Sequence, residues 1–239
     1  MVHGWGMNAD VFNDLADRLS ADFDVRVFNL PGHGGRRAVS NNTLRGWADD
    51  IVSELPPGST LLGWSLGGQL AMRAALDHPD RVSRLVLLST TPRFVISNAW
   101  AHGLALADLQ AFGADLLGNP RATLLRFMSL QTRGAADQRS LLHRLREVFQ
   151  AAPDTDAGAL QAGLAMLCAT DLRAEVPALM QPALVLHGGL DTLTPAAAGR
   201  WLAAHLPHAA HVEYARAAHA PHLSHGDEVA ADIRRFLHD

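Results

Sequence analysis

The 239-residue sequence predicts an α/β fold, a mostly parallel sheet flanked by helices and interrupted by a helical cap insertion. Three observations carry that expectation. Short apolar runs alternate with amphipathic helical stretches in the first and last parts of the chain, the pattern of parallel strands joined by crossover helices. From residue 93 to residue 170 the strand-like runs stop and only helical ones remain. Finally, Leu61-Leu62 runs into Gly63-Trp64-Ser65-Leu66-Gly67 and leaves through Gly68-Gln69-Leu70-Ala71-Met72, a strand, a sharp turn and a helix in succession. The expected organisation is therefore a first core segment over residues 1–92, the insertion over 93–170, and a second core segment over 171–239.

The elements follow in order. Met1-Val2-His3-Gly4-Trp5-Gly6 reads as the end of a buried strand and a Gly-bounded loop, so the strands that would ordinarily precede it are expected to be missing. Residues 8–20 form an amphipathic helix, with Val11, Phe12, Leu15 and Leu19 on one side. Residues 25–29 form a strand ended by the turn cluster Leu30-Pro31-Gly32-His33-Gly34-Gly35. Thr43 caps a helix running to residue 55, which Pro56-Pro57-Gly58 stops. The strand, turn and helix around Ser65 close at His78-Pro79, and residues 84–89 are the next buried strand. The insertion holds helices over 99–117, 121–131, 138–149 and 155–167, punctuated by Gly118-Asn119-Pro120 and Ala152-Pro153-Asp154. Strand 183–186, helix 195–206, strand 212–214 and helix 227–237 complete the chain.

Composition narrows the function classes. With 48% apolar residues the chain can bury a sizeable core, and a net charge of −4 argues against a general nucleic-acid binder. All 20 basic residues are Arg, which reads first as a compositional bias. The lone Cys168 excludes an internal disulfide and a cysteine-based metal site, and fits a reducing compartment. No apolar run reaches membrane-spanning length and no signal-type leader is evident. A soluble, cytoplasmic monomer is expected.

The chemistry centres on Ser65. A serine is a weak nucleophile until a base takes its proton, and its oxygen must project from a strained turn. Side chains at positions 63 and 67 would crowd that turn. The helix starting after Ser65 also aims amide donors where an oxyanion would develop. An ordinary Gly-rich turn is the bland alternative, and the flanking strand and helix favour a nucleophile elbow. In this setting the acid and then the histidine follow the serine along the chain. Asp191, directly after a buried strand, suits the acid, the bland alternative being that it only orders its turn or caps the helix near Pro195; Asp171 is its rival. Of 13 histidines, His219 follows a strand at the expected edge, with His222 and His225 as nearby alternatives. Spacing alone also permits a zinc site from those three, but no further ligand set is recognisable. Leu66 supplies one oxyanion amide and Trp5 the other, while Trp5 and Trp64 either wall the acyl pocket or simply pack the core.

With these residues in view, the chain resembles the α/β-hydrolase superfamily over essentially its whole length, apart from the first strands. His3-Gly4-Trp5-Gly6-Met7-Asn8-Ala9, Leu62-Gly63-Trp64-Ser65-Leu66-Gly67-Gly68, Arg126-Phe127-Met128-Ser129-Leu130-Gln131-Thr132 and Ala217-Ala218-His219-Ala220-Pro221 are similar to the pimeloyl-[acyl-carrier protein] methyl ester esterases of biotin synthesis. The resemblance implies a Ser65–Asp191–His219 triad, a Trp5 and Leu66 oxyanion hole, and an acyl channel along Phe127, Met128, Ser129, Leu130 and Gln131. It implies hydrolysis of a carrier-bound methyl ester, with no metal or organic cofactor. Arg121, Arg126, Arg133, Arg139, Arg144 and Arg146 would then dock the acidic carrier protein, unless they are only a solvated face. His222 departs from the pattern, which has an apolar residue there. A broad carboxylesterase acting on small esters and a non-catalytic binding protein of the same fold are the competing readings.

Overall fold

Residues 1–238 are described by the computed structural model. Four parallel strands lie side by side in chain order: β1 (Ser59–Trp64), β2 (Val82–Leu88), β3 (Ala183–Gly188) and β4 (Ala209–Tyr214). β3 is buried along its whole length, as are Leu85 to Leu88 of β2, because helices cover both faces of a parallel sheet. The register pairs Trp64 with Leu88, Leu88 with Leu186 and Gly188 with Tyr214. Every strand therefore ends at one edge, where Ser65 and the loops after β3 and β4 emerge.

The helices are α1 (Asn13–Leu19), α2 (Leu44–Ser53), α3 (Leu66–Asp77), α4 (Leu106–Gly118), α5 (Pro120–Gln131), α6 (Gln138–Ala151), α7 (Ala157–Ala169), α8 (Ala196–His205), α9 (Pro221–Ser224) and α10 (Gly226–His238). Capping sets several of their starts. Thr43 Oγ1 accepts from the Gly46 amide at 3.0 Å to begin α2, Asn119 Oδ1 accepts from Ala122 at 3.1 Å to begin α5, and Asp156 Oδ1 accepts from Ala159 at 2.8 Å to begin α7. Helices α4 to α7 all fall between β2 and β3, and their apolar faces, including Leu109, Leu124, Phe127, Leu145 and Leu160, join the same core as the sheet. Among the described residues no helix is long and apolar enough to cross a membrane.

Three expectations need correction. The strand expected over residues 25–29 is a single bridge: Val2 pairs with Phe28 on one side and Gly63 on the other. Val2 donates to Leu62 O at 2.8 Å and accepts from Trp64 N at 3.0 Å, while on its other side Met1 O accepts from Phe28 N at 2.9 Å and the Met1 amine donates to Arg26 O. In this parallel pairing residues 25–27 face Met1, and beyond Val2 the chain turns away at Gly4, so the ladder stays at one bridge. The helix expected over 8–20 is split, a 3-10 turn over Ala9–Phe12 leading into α1, since Asn8 Oδ1 takes the Asp10 amide at 2.9 Å and tightens the entry. The helix expected from residue 99 begins only at Leu106. Before it the chain doubles back, with Val95 bridging Leu104 and Ser97 bridging Trp100. Gly103 permits this fold-back, because a Cβ there would lie 2.3 Å from Phe94 O.

Candidate active site

Ser65 occupies the tight turn between β1 and α3 at φ 56°, ψ −118°, a region that non-glycine residues seldom enter. Its neighbours hold it there. The Ser65 amide donates to Leu88 O at 3.0 Å, and its carbonyl accepts from Gly68 N at 2.9 Å and Thr90 Oγ1 at 2.7 Å. The flanking glycines serve close approach: a Cβ on Gly63 would lie 2.1 Å from Gly67 O, and one on Gly67 2.3 Å from Val2 O. The strained φ thus falls on the serine itself, and the glycines make room for it.

Asp191 and His219 meet at the same edge. A Cβ on Gly188 would sit 2.0 Å from Ala218 O, so glycine at the end of β3 lets the loop after β4 close over it. His219 Nδ1 lies 2.7 Å from Asp191 Oδ2 with both side chains buried. A carboxylate only accepts, so Nδ1 carries a proton, which in the neutral ring leaves the lone pair on Nε2. Nε2 is buried and has no protein partner; in particular, no hydrogen bond joins it to Ser65 Oγ among the described residues. Asp191 Oδ1 accepts from the Leu193 and Thr194 amides at 2.9 and 3.0 Å, and Oδ2 accepts from Thr194 Oγ1 at 2.7 Å. Burial alone would raise the Asp191 pKa, but the charge and hydrogen bond of His219, with His187 and Thr194, outweigh it and hold the carboxyl below its ordinary value.

The rival residues lie elsewhere or face other partners. Asp171 pairs with Arg93 at 2.6 Å and Arg173 at 2.7 Å, and it bridges Arg93 where the helical segment leaves and rejoins the sheet. The Arg173 hydrogen bond, with Arg93, keeps its carboxyl well below the usual carboxylate range despite partial burial. His222 packs edge-on to Trp64 at 4.8 Å and beside Phe12 at 5.2 Å, and His225 Nδ1 meets Ser224 Oγ at 2.8 Å. The three histidines therefore do not converge on one point.

Trp5 and Leu66 flank the serine. A Cβ on Gly4 would lie 3.1 Å from Ser65 Cβ, which brings the Gly4-Trp5 backbone against Ser65, and Leu66 opens α3. Neither amide donates to a protein acceptor among the described residues. Both tryptophan rings are buried and anchored by their N–H groups, Trp5 Nε1 to Leu160 O at 2.8 Å and Trp64 Nε1 to His219 O at 2.8 Å. From α5, Phe127 meets Trp5 edge-to-face at 4.9 Å, and Gln131 O accepts the His219 amide at 3.1 Å. Met128 is buried in the common core, Leu130 is half-buried, and Ser129 Oγ turns back to Leu125 O at 3.2 Å. Sequence reasoning missed Thr90, Thr194, His187, Leu160 and Gly163. Thr194 alone left a signal, an Asp followed three residues later by Thr before a helix.

The six arginines do not act alike. Arg121 reaches Asp154 at 4.0 Å, and Arg126 pairs with Asp115 while lying over Phe112. Arg144 pairs with Asp14 and donates to Leu223 O at 2.6 Å, tying α6 to the core. Arg133, Arg139 and Arg146 are exposed, without an ion-pair partner among the described residues.

A family model described as alpha/beta hydrolase fold matches residues 1–226. A pimeloyl-[acyl-carrier protein] methyl ester esterase of Nitrosomonas europaea is 41% identical over 210 residues, covering 87% of this chain and 83% of the relative. One of Aromatoleum aromaticum is 40% identical over 235 residues, covering 96% and 94%. Among solved structures, an esterase from Exiguobacterium antarcticum superposes with a TM-score of 0.89 at 20% identity, covering 100% of this chain and 91% of the other. An enol-lactonase from Burkholderia xenovorans LB400 gives 0.84 at 24%, covering 100% and 90%. At these identities the structures speak to the fold.

Proposed function

We infer the function from the premise that this chain belongs to the pimeloyl-[acyl-carrier protein] methyl ester esterases, within the alpha/beta hydrolase family. It is a serine carboxylesterase that hydrolyses the methyl ester of pimeloyl-[acyl-carrier protein] and releases methanol, the step expected in biotin synthesis. The observation that carries the reading is the buried 2.7 Å contact between Asp191 and His219, with His219 Nε2 left open to take a proton.

In the proposed mechanism His219 Nε2 accepts the Ser65 hydroxyl proton as Oγ bonds to the ester carbonyl carbon. The Trp5 and Leu66 amides hold the resulting oxyanion. Collapse breaks the bond to the methoxy oxygen, and His219 returns the proton to that leaving group as methanol. Water then attacks the acyl-enzyme by the same route, and the carboxylic acid departs with Ser65 restored. Asp191 stays ionised, fixes the imidazole tautomer and stabilises its cation. The open geometry between Ser65 Oγ and Nε2 suits a site that tightens on substrate.

Phe127 and Gln131 support an acyl channel beneath a cap formed by residues 93–170, with Met128, Ser129 and Leu130 completing that stretch of α5. For carrier docking, the reading narrows to Arg133, Arg139 and Arg146, whose charges are not spent within the chain. A reducing, cytoplasmic setting fits the single free Cys168, and the chain is taken to act as a monomer. The test is incubation with the carrier-bound methyl ester, using Ser65→Ala as control. Serine-dependent demethylation faster than that of a free short methyl ester is expected. Hydrolysis of the free ester alone would indicate a general esterase, and turnover unchanged in Ser65→Ala would overturn the assignment.

A further inference from the structure

Asp191 has an imidazole on each side. Besides His219, His187 at the end of β3 places Nε2 3.6 Å from Asp191 Oδ2, with both side chains fully buried. His187 Nε2 lies 2.6 Å from Thr194 O. A carbonyl only accepts, so the His187 proton sits on Nε2 and points into the 191–194 turn. Thr194 is the residue whose amide and hydroxyl both donate to Asp191.

We propose that His187 is a positioning residue for the acid: its Nε2–H pins Thr194, and through Thr194 it fixes the orientation and basicity of the Asp191 carboxylate that faces His219. This rests on the Ser65–Asp191–His219 reading. The far side of the ring agrees with a fixed, neutral imidazole. Nδ1 is buried without a partner, and Gly199 of α8 comes so close that a Cβ there would lie 2.5 Å from Nδ1. The ionisable groups around the ring are Asp191 and His219 on their loops and His211 on β4. Burial, with His219 and His211, holds His187 below its ordinary pKa even though Asp191 and Thr194 O draw the other way. By holding Thr194, whose amide and hydroxyl donate to Asp191, the neutral ring tempers the carboxylate without cancelling its charge. Its loss strengthens the pull of Asp191 on the His219 proton.

The test uses His187→Phe and Gly199→Ala, the second pushing the ring from behind without touching the triad. Turnover of a short methyl ester is measured against pH, and the low-field Nδ1–H proton resonance of His219 is recorded. The expected result in both variants is a kcat about tenfold lower with little change in KM, the worth of one net hydrogen bond. The acid limb of kcat/KM should move to higher pH and the resonance should shift. A folded His187→Phe with the wild-type kcat, acid limb and resonance would overturn the proposal; if that variant does not fold, the same three observations on Gly199→Ala decide it. Turnover that survives Ser65→Ala would overturn the triad reading itself, and this inference with it, whereas serine-dependent turnover with unchanged His187 variants removes only the inference.

Discussion

Ser65 holds a backbone conformation costing roughly 1–3 kcal/mol, which the Leu88, Gly68 and Thr90 contacts enforce. His222 is a second costly residue at the same scale. Both its ring nitrogens are buried without partners among Trp64 and Phe12. Burial pushes its pKa down to about 3 from 6.5, helped by His219 and Arg144. The unfolded chain therefore binds a proton that the folded chain refuses between those two values. Stability rises with pH across that window and falls as pH drops from 6.5 toward 3. His3, lowered to about 3, and His33, lowered to about 4, act in the same direction. His222→Phe removes one such proton and two unpartnered nitrogens. The expected outcome is about 1 kcal/mol more stability at neutral pH and a smaller loss of Tm between neutral pH and about pH 4.5, read by thermal melts. An acid loss equal to that of the wild type would contradict this account.

At the scale of elements, helix α7 reaches the Gly4-Trp5 loop beside Ser65, the proposed oxyanion site. Leu160 O fixes the Trp5 indole, and Gly163 lies one turn further along the same face. A Cβ on Gly163 would lie 2.6 Å from Trp5 Cδ1, so glycine there lets the helix seat against the ring. Gly163→Ala in an otherwise favourable helix gains up to about 1 kcal/mol of helix propensity. It also displaces Trp5 and, with it, the backbone amide beside Ser65. The expected result is a near-normal Tm with kcat reduced about tenfold or more, since removing an oxyanion donor costs about 10²–10³. Steady-state kinetics on a short ester check it; an unchanged kcat would mean that the Trp5 amide is held independently of its ring.

Over the whole molecule, charge is partitioned between holding the chain together and facing outward. Arg93 and Arg173 meet on Asp171 at the neck of the helical segment, and Arg144 joins α6 to Asp14 near the start of the chain. Arg133, Arg139 and Arg146 are exposed and are the ones proposed to meet an acidic partner. Reversing those three to Glu should raise KM for a carrier-linked ester at least tenfold and flatten its salt dependence, because steering charges act over about a Debye length. Turnover of a free short ester should be unchanged. Equal KM values for wild type and variant on the carrier-linked substrate would leave these arginines as a solvated face.

Local chemistry along the sequence determines much of this protein. The α/β alternation follows from strands buried on both faces and helices buried on one, and Gly63-Trp64-Ser65-Leu66-Gly67 announces its turn because only glycines fit where the backbones touch. Thr43 and Asn119-Pro120 likewise mark helix starts, since capping needs only neighbours in sequence. The contacts across long separations were decided by the tertiary structure. Residues 25–29 have strand chemistry but only Met1 and Val2 to pair with, and no periodicity reveals the length of a partner. Asp171 and Asp191 look alike as loop carboxylates; one meets two guanidinium groups and the other an imidazole because parallel register delivers the loops after β3 and β4 to the same edge. His187 falls just past the strand expected over 183–186 and reads as an ordinary loop residue; the structure puts it inside β3, with the 191–194 turn folded over it. Its role depends on where a carbonyl seven residues away comes to rest, which the sequence order of the two residues does not encode.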